Sequence, residues 1–197
     1  MAIFNFLLLC LFLSAIPQLH GNADMQNLKA KHKETLQNMP RPWEFMTNGT
    51  IYLLSSGIKY QNVTCIRAKA VEKNESAQTF THNVAVKLEY NDMTDWIHMN
   101  ATYVPFQFTD QGRIKAFLDN EGAAVTKYAF LLTTPRCAVV VKEKNYTDSS
   151  YTSTELWLKD WRNENVADCY MTFINVCNCN SHPTSYYPRQ CEDASVH

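Results

Sequence analysis

The sequence is poor in glycine and contains none of the short motifs that mark common catalytic sites. Only five of its 197 residues are glycine, and it has no Gly-rich phosphate loop, no His-Glu-x-x-His and no Gly-x-Ser-x-Gly. Such sites use glycine where the backbone must approach a phosphate or turn sharply at a nucleophile. We therefore expect a protein that is not an enzyme and has no cofactor and no catalytic metal.

The sequence also lacks a charge excess of either sign. Its formal net charge is −1, and no basic stripe is present. A domain that binds nucleic acid usually clusters lysine and arginine on one face. We therefore expect no nucleic-acid partner.

Long apolar runs are absent apart from one at the extreme N-terminus. Residues 3–15 are apolar but too few to span a bilayer, and Pro17, Gly21 and Ala23 follow them. This pattern predicts a secretory signal peptide over about residues 1–23, although a basic first segment is missing. No later run approaches 18 apolar residues, so the mature chain is expected to be soluble, secreted and extracellular, without membrane contact.

Cysteine is present in a number that favours disulfide bonds. Cys10 is lost with the signal peptide, which leaves six cysteines: Cys65, Cys137, Cys169, Cys177, Cys179 and Cys191. An even number in a secreted chain implies disulfides, although the residues alone do not choose among the possible pairings. Cys177 and Cys179 with His182 also resemble a metal site weakly, but an oxidising compartment argues against metal binding there.

Five N-glycosylation sequons occur along the chain. Their asparagines are Asn48, Asn62, Asn74, Asn100 and Asn145. Together with the signal peptide they favour an extracellular glycoprotein.

Short stretches of strand-forming residues recur at even spacing. They lie near 51–59, 64–72, 79–90, 95–108, 112–118, 123–133, 136–143 and 153–159. Eight such strands predict an antiparallel barrel or sandwich. An immunoglobulin-type sandwich is the other architecture to consider, but the Cys-Trp-Cys spacing typical of it is missing.

The strands are flanked by two other segments. A polar arm or short helix is expected over residues 24–42, ahead of a single domain over 43–197, and Trp43 and Phe45 are expected to plug one end of the barrel. After the strands, Asn163 is a candidate helix cap. The apolar face of that helix is expected at Val166, Tyr170, Phe173 and Cys177.

Alternation along the strands assigns side chains to the barrel interior. In the third strand, His82 is among the residues that face inward. A glycan on Asn100 of the fourth strand would have to point outward, and Lys127 of the sixth strand should also face outward. The inward residues are then Phe80, His82, Val84, Val86, Leu88, Tyr90, Ile97, Met99, Ala101, Tyr103, Thr126, Tyr128, Phe130 and Leu132. Such a lining suits a largely apolar or aromatic ligand, although a packed core without a ligand has the same composition.

The stretch around Glu155 raises the main question about function. After the apolar run Cys137–Val141 and an expected loop over 145–153, Leu156 and Leu158 share one strand face, and Glu155 and Trp157 share the other. If the leucines pack under the helix, Glu155 points into the barrel. A buried carboxylate then needs a partner, a proton or a ligand, unless it is exposed at the strand end.

This region resembles the amine-binding signature of the tick salivary lipocalins known as histamine-binding proteins. The matching residues are Cys137, Val139, Glu155, Leu156, Trp157 and Cys169, and the departure is Ala138, where the family has aspartate. The resemblance extends over about residues 43–191. It implies an eight-stranded antiparallel lipocalin barrel with a C-terminal helix packed outside.

The resemblance also implies two disulfides, Cys65–Cys191 and Cys137–Cys169. Cys177 and Cys179 would then pair with each other, bond another chain or stay free.

The function implied is capture of a host mediator in the barrel, which would suppress inflammation at a tick bite. Histamine or serotonin would bind through Glu155, with Trp157, Ala138, Tyr128, Phe130, Tyr103 and His82 in the pocket. Losing the acid at position 138 should weaken an ammonium ligand by roughly 10- to 150-fold, so a lipid mediator (an eicosanoid, fatty acid or sterol) is an equal alternative. Binding of a host immune or complement protein through surface loops is a further possibility. The protein is expected to be a monomer.

Overall fold

The structure is a computed structural model that describes residues 42–91, 93–110, 112–119, 124–159, 166–177, 179 and 182–192. The expected signal peptide, all of the expected arm except Pro42, and the candidate cap Asn163 lie outside the described residues.

The described chain consists of two α-helices, nine strands and a 3-10 turn. The helices are α1 (Pro42–Thr47) and α2 (Ala167–Val176), and the turn is Pro188–Cys191. The strands are β1 (Thr50–Ser56), β2 (Val63–Asn74), β3 (Thr79–Tyr90), β4 (Met93–Phe108), β5 (Ile114–Asp119), β6 (Val125–Thr133), β7 (Cys137–Asn145), β8 (Ser150–Lys159) and β9 (Thr184–Ser185).

Strands β1 to β8 form a closed antiparallel barrel. Each strand from β2 to β7 pairs with its successor, and β1 pairs with both β8 and β2. The closed sheet with α2 packed outside is the lipocalin architecture, which confirms the predicted fold. The sandwich alternative is wrong, because one continuous sheet closes on itself.

Three local differences separate the structure from the sequence-based expectation. Residues 42–47 form the helix α1, in which the Thr47 hydroxyl donates to the carbonyl of Trp43 at 2.8 Å. The expected loop over 145–153 is too long, because Ser150 already pairs with Asn145. Serine, threonine and tyrosine fit the edge of a hairpin as well as a loop. The short strand β9, which pairs with the end of β1, was not predicted.

One apolar cluster fills the barrel end that α1 covers. Phe45 of α1 is fully buried and packs with core residues from β1–β7. Trp43 packs edge-on against Phe80, with 5.6 Å between ring centroids. The predicted plug is therefore present, formed by helical residues.

A second cluster lies outside the barrel beneath α2. It contains Cys137, Val139, Leu156, Leu158, Cys169 and Phe173. Val166 and Cys177 pack against it as expected, but Tyr170 is 45% exposed, so its assignment to the buried face is wrong. Cys169 occupies that face instead, four residues before Phe173.

Three further inward assignments are wrong. A register shift between Phe130 and Leu132 turns Leu132 outward, where it packs on the cluster beneath α2. A bulge of this kind changes the face of every later residue. Ile97 and Tyr90 are 42% and 37% exposed, because both lie towards the β3–β4 turn at the end of the sheet.

The six cysteines form three disulfides in the structure: Cys65–Cys191, Cys137–Cys169 and Cys177–Cys179. The first ties the 3-10 turn to β2, and the second ties α2 to β7. All five sequon asparagines are exposed. Within the described ranges, no helix is long and apolar enough to cross a membrane.

Candidate functional site

A cavity of about 320 Å³ occupies the barrel interior. At one end its wall includes Phe45 and Met46 of α1, and at the other end it includes Tyr60, Lys144 and Tyr151. The volume lies near the lower limit of pockets that hold small organic ligands. The cavity is therefore large enough for one small molecule.

The two sides of the cavity differ in polarity. Strands β2–β4 contribute mostly apolar side chains, namely Val63, Ile66, Ala68, Val84, Val86, Met99 and Ala101. Strands β5–β8 contribute most of the polar ones, namely Asp119, Thr126, Tyr128, Lys142, Lys144, Tyr151 and Glu155. A ligand in this cavity would meet hydrocarbon on one side and charge on the other.

Glu155 is at the centre of the polar side and is 0% exposed. The Tyr60 hydroxyl donates to its Oε1 at 2.5 Å, and the Trp157 indole N–H donates to its Oε2 at 2.9 Å. The Nζ atom of Lys142 lies 3.6 Å from Oε1. The buried carboxylate therefore has two hydrogen-bond donors and a cation from the chain itself.

Lys142 is held beside Glu155 by aromatic residues. Its ammonium donates to the Tyr60 hydroxyl at 3.3 Å and lies 5.3 Å from the centroid of the Tyr60 ring and 5.8 Å from that of Tyr128. Burial alone would lower the pKa of Lys142, but the Glu155 carboxylate and neighbouring groups raise it above its ordinary value. The lysine is therefore charged at neutral pH and neutralises Glu155.

The tyrosines of the site are donors rather than anions. Burial, and then the charge of Glu155, raises the pKa of Tyr60 far above its ordinary value. Burial likewise raises the pKa of Tyr103 and Tyr128. All three hydroxyls therefore keep their protons at physiological pH.

His82 lies near α1 and is fully buried. Its Nε2 is 2.8 Å from the carbonyl oxygen of Met46, which can only accept, so Nε2 carries the proton. Its ring packs against Phe80 and Tyr103. Burial lowers the pKa of His82 to about 4, so the imidazole is neutral at pH 7 and anchors α1 to the barrel.

Six of the seven residues expected to contact a ligand lie on the cavity wall. They are Glu155, Trp157, Tyr128, Phe130, Tyr103 and His82. Ala138 does not: it pairs with Trp157, is 0% exposed and belongs to the packed core near α1. The family resemblance placed Ala138 in the pocket, whereas the structure places it in the packed core, outside the cavity wall.

Sequence reasoning missed Tyr60 and Lys142. Tyr60 lies in the connection between β1 and β2, and nothing in its local sequence marks it. Lys142 follows Ala138 and Val140 at alternate positions of β7, so extending the inward pattern of that strand by one step would have found it.

The weak resemblance to a metal site at Cys177 and Cys179 is wrong, because the two sulfurs form a disulfide. No group of three or more histidine, cysteine or acidic residues suited to a metal ion occurs among the residues that the structure describes.

Comparison with known proteins gives one sequence-based match. A family model described as tick histamine binding protein matches residues 30–193, which is more than half of the chain. A search of curated protein sequences finds no significant match.

Three solved structures that a structural comparison matches to this chain share little sequence with it. Japanin from Rhipicephalus appendiculatus, solved with cholesterol bound, is 10% identical with a TM-score of 0.47, over 74% of this chain and 97% of its own. Lipocalin 12 from rat epididymis is 14% identical with a TM-score of 0.47, and the match covers 70% of this chain and 80% of lipocalin 12. The siderocalin Ex-FABP, described as having dual ligand specificities, is 11% identical with a TM-score of 0.45. The match covers 62% of this chain and 79% of Ex-FABP.

Proposed function

The chain belongs to the tick histamine-binding protein family, and we propose that it is a secreted salivary lipocalin that sequesters a small host mediator in its barrel. The cavity and its lining support this proposal. Removing a mediator from the bite site would suppress the host inflammatory response. The expected N-glycans and the three disulfides suit a protein that acts outside the cell.

We propose further that the mediator is largely apolar and carries an anionic head group, as a fatty acid or an eicosanoid does. The observation behind this choice is the ion pair between Lys142 and Glu155. Because the buried Glu155 already has a cation, this carboxylate has little remaining attraction for an ammonium. The Lys142 ammonium and the Tyr60 hydroxyl can donate to a carboxylate, and Lys144 adds a second positive charge to the wall.

The apolar side of the cavity supports the same choice. The side chains of β2–β4 offer a continuous hydrocarbon surface for an alkyl chain, and each buried methylene contributes about 0.8 kcal/mol. Most of the affinity would come from this burial, and the head group would fix the orientation of the ligand.

A biogenic amine is the second candidate. It is favoured by the combination of Glu155 with the rings of Tyr60, Tyr128 and Trp157, since a carboxylate among aromatic rings is a good environment for a cation. An amine would have to displace Lys142 from Glu155. Ala138 supplies no acid beside Glu155 to offset that cost, and the other acid of the cavity wall is Asp119 on β5.

Native mass spectrometry of the secreted glycoprotein tests the proposal. The protein would be incubated with a panel of amines (histamine, serotonin) and anionic lipids (arachidonic acid, leukotrienes). We expect a one-to-one complex with anionic lipids at micromolar concentration or below, and weaker retention of amines. If no small molecule is retained, the proposal fails, and binding of a host immune protein becomes the leading hypothesis.

A further inference from the structure

The Lys142 ammonium lies beside the Glu155 carboxylate inside the cavity. Oε1 of the carboxylate accepts from Tyr60 and faces the Lys142 ammonium at 3.6 Å, and Oε2 accepts from Trp157. Lys142 and Glu155 both line the cavity, and their side chains are 17% and 1% exposed. A ligand entering the cavity therefore meets the carboxylate with its cation already in place.

The surroundings of this ammonium are those expected of an amine-binding pocket. A carboxylate lies on one side, and the rings of Tyr60 and Tyr128 lie within cation–π distance. Neither ring can compete as an anion, because burial raises the pKa of both phenols. The pocket supplies one charge and two π faces to a cation, and the chain's own lysine is that cation.

We propose that Lys142 is the specificity-determining residue of this cavity, an internal ammonium that fills an amine subsite and thereby excludes amine ligands. The inference rests on the proposed function, in that it assumes a small ligand enters the cavity. It adds that one side chain sets the sign of the ligand's charge.

The proposal has a direct physical consequence. Replacing Lys142 by methionine keeps most of the side-chain volume and removes the charge, which leaves Glu155 buried with hydrogen-bond donors but no cation. An uncompensated buried carboxylate is costly, so the site gains an attraction for an external ammonium. The Lys142→Met variant should thus bind histamine or serotonin about 10- to 100-fold more tightly than the wild-type protein, as a regained charge-assisted contact allows.

Calorimetric titration of both amines and of arachidonic acid into four proteins tests this. They are the wild type, Lys142→Met, the double variant Lys142→Met/Glu155→Gln, and the control Lys127→Met. Lys127 pairs with Glu143 at 3.2 Å on the outer face of the barrel, so its loss changes the net charge equally without touching the cavity. We expect the gain in amine affinity in Lys142→Met alone, and its loss in the double variant.

The possible results test the role of Lys142 and the proposed function separately. Equal gains in Lys142→Met and Lys127→Met would mean a non-specific charge effect and would overturn the inference. A Lys142→Met variant that folds but shows no gain in amine affinity would also overturn the inference. If Lys142→Met folds poorly, millimolar histamine should raise its melting temperature, because a ligand that binds only the folded state stabilises it. The absence of such a rise would equally overturn the inference. If the wild type binds arachidonic acid in any of these cases, the proposed function stands; if none of the four proteins binds any ligand, the proposed function itself fails.

Discussion

The Tyr60 hydroxyl donates a 2.5 Å hydrogen bond to Oε1 of Glu155, and this contact connects the β1–β2 turn to the neighbouring strand β8. The turn is held a second time by the Tyr186 hydroxyl, which accepts from the Tyr60 backbone N–H at 3.0 Å. Tyr186 in turn follows β9, whose pairing with β1 fixes the C-terminal segment. The β1–β2 turn and the C-terminal segment therefore both help to position the carboxylate.

Replacing Tyr60 by phenylalanine should destabilise the protein. The substitution removes a hydrogen bond to a charged acceptor and leaves Glu155 with Trp157 and Lys142. We expect the free energy of unfolding to fall by about 1.5–3 kcal/mol. Urea denaturation at neutral pH measures this, and Tyr187→Phe is the control, because the Tyr187 side chain is largely exposed. Equal stability of Tyr60→Phe and the wild type would show that the hydroxyl contributes nothing to the buried charge pair.

Replacing Ala138 by aspartate should not create an amine site. Because Ala138 is packed in the core against Trp157, away from the cavity wall, the new carboxylate would be buried without a cation. We expect a loss of at least about 3 kcal/mol of folding free energy and no gain in amine affinity. Ala129→Asp on the outer face of β6 is the matched control and should cost much less. A folded Ala138→Asp variant with improved histamine binding would contradict the placement of this residue.

Gly57 lies against the Cys177–Cys179 disulfide. A Cβ atom at this position would be 3.1 Å from Sγ of Cys177 and 3.5 Å from Sγ of Cys179. We expect Gly57→Ala to lower the free energy of unfolding by about 1–3 kcal/mol through overpacking. The same substitution should cost less in a Cys177→Ser/Cys179→Ser background, and thermal or urea unfolding of the four proteins gives this coupling. Identical costs in both backgrounds would mean that the sulfurs do not limit the space at Gly57.

His82 should make the protein less stable in mild acid. Its pKa is lowered from 6.5 to about 4 by burial, so between these values the unfolded chain binds a proton that the folded protein does not. The stabilisation that comes from keeping His82 neutral is fully present above pH 6.5. It is lost as the pH falls towards 4, where the free energy of unfolding has fallen by up to about 3 kcal/mol.

Unfolding free energies of the wild type and a His82→Gln variant, measured from pH 7 to pH 4, test this. The glutamine amide can still donate to the Met46 carbonyl but does not titrate in this range. The difference in unfolding free energy between the wild type and His82→Gln should become smaller as the pH falls. A difference that stays constant with pH would contradict a buried, neutral histidine.

Alternation along the strands predicted much of the fold and part of the site. It placed Leu156 and Leu158 beneath the helix, and Glu155 and Trp157 inside the barrel, because residues two apart in a strand share a face. It failed at Leu132, where a bulge reverses the faces, because a register shift leaves no mark in the hydrophobic pattern.

The electrostatics of the site depend on contacts distant in sequence. Tyr60 is 95 residues from Glu155, and Lys142 reaches Glu155 diagonally across two neighbouring strands. Sequence showed that a buried carboxylate needs a partner, and the register of β7 against β8 identifies Lys142 as that partner.

The central claim is that the charge of Lys142 selects an anionic, largely apolar ligand. The most direct measurement is a calorimetric titration of the wild-type protein with three ligands that share one alkyl chain: arachidonic acid, its methyl ester and arachidonyl amine. The apolar burial is the same for all three, so differences in affinity report the head group alone. We expect the acid to bind about tenfold or more tightly than the ester, and the amine to bind most weakly, because a charge-assisted hydrogen bond contributes about 1.5–3 kcal/mol. An amine that binds as tightly as the acid, or more tightly, would contradict the account.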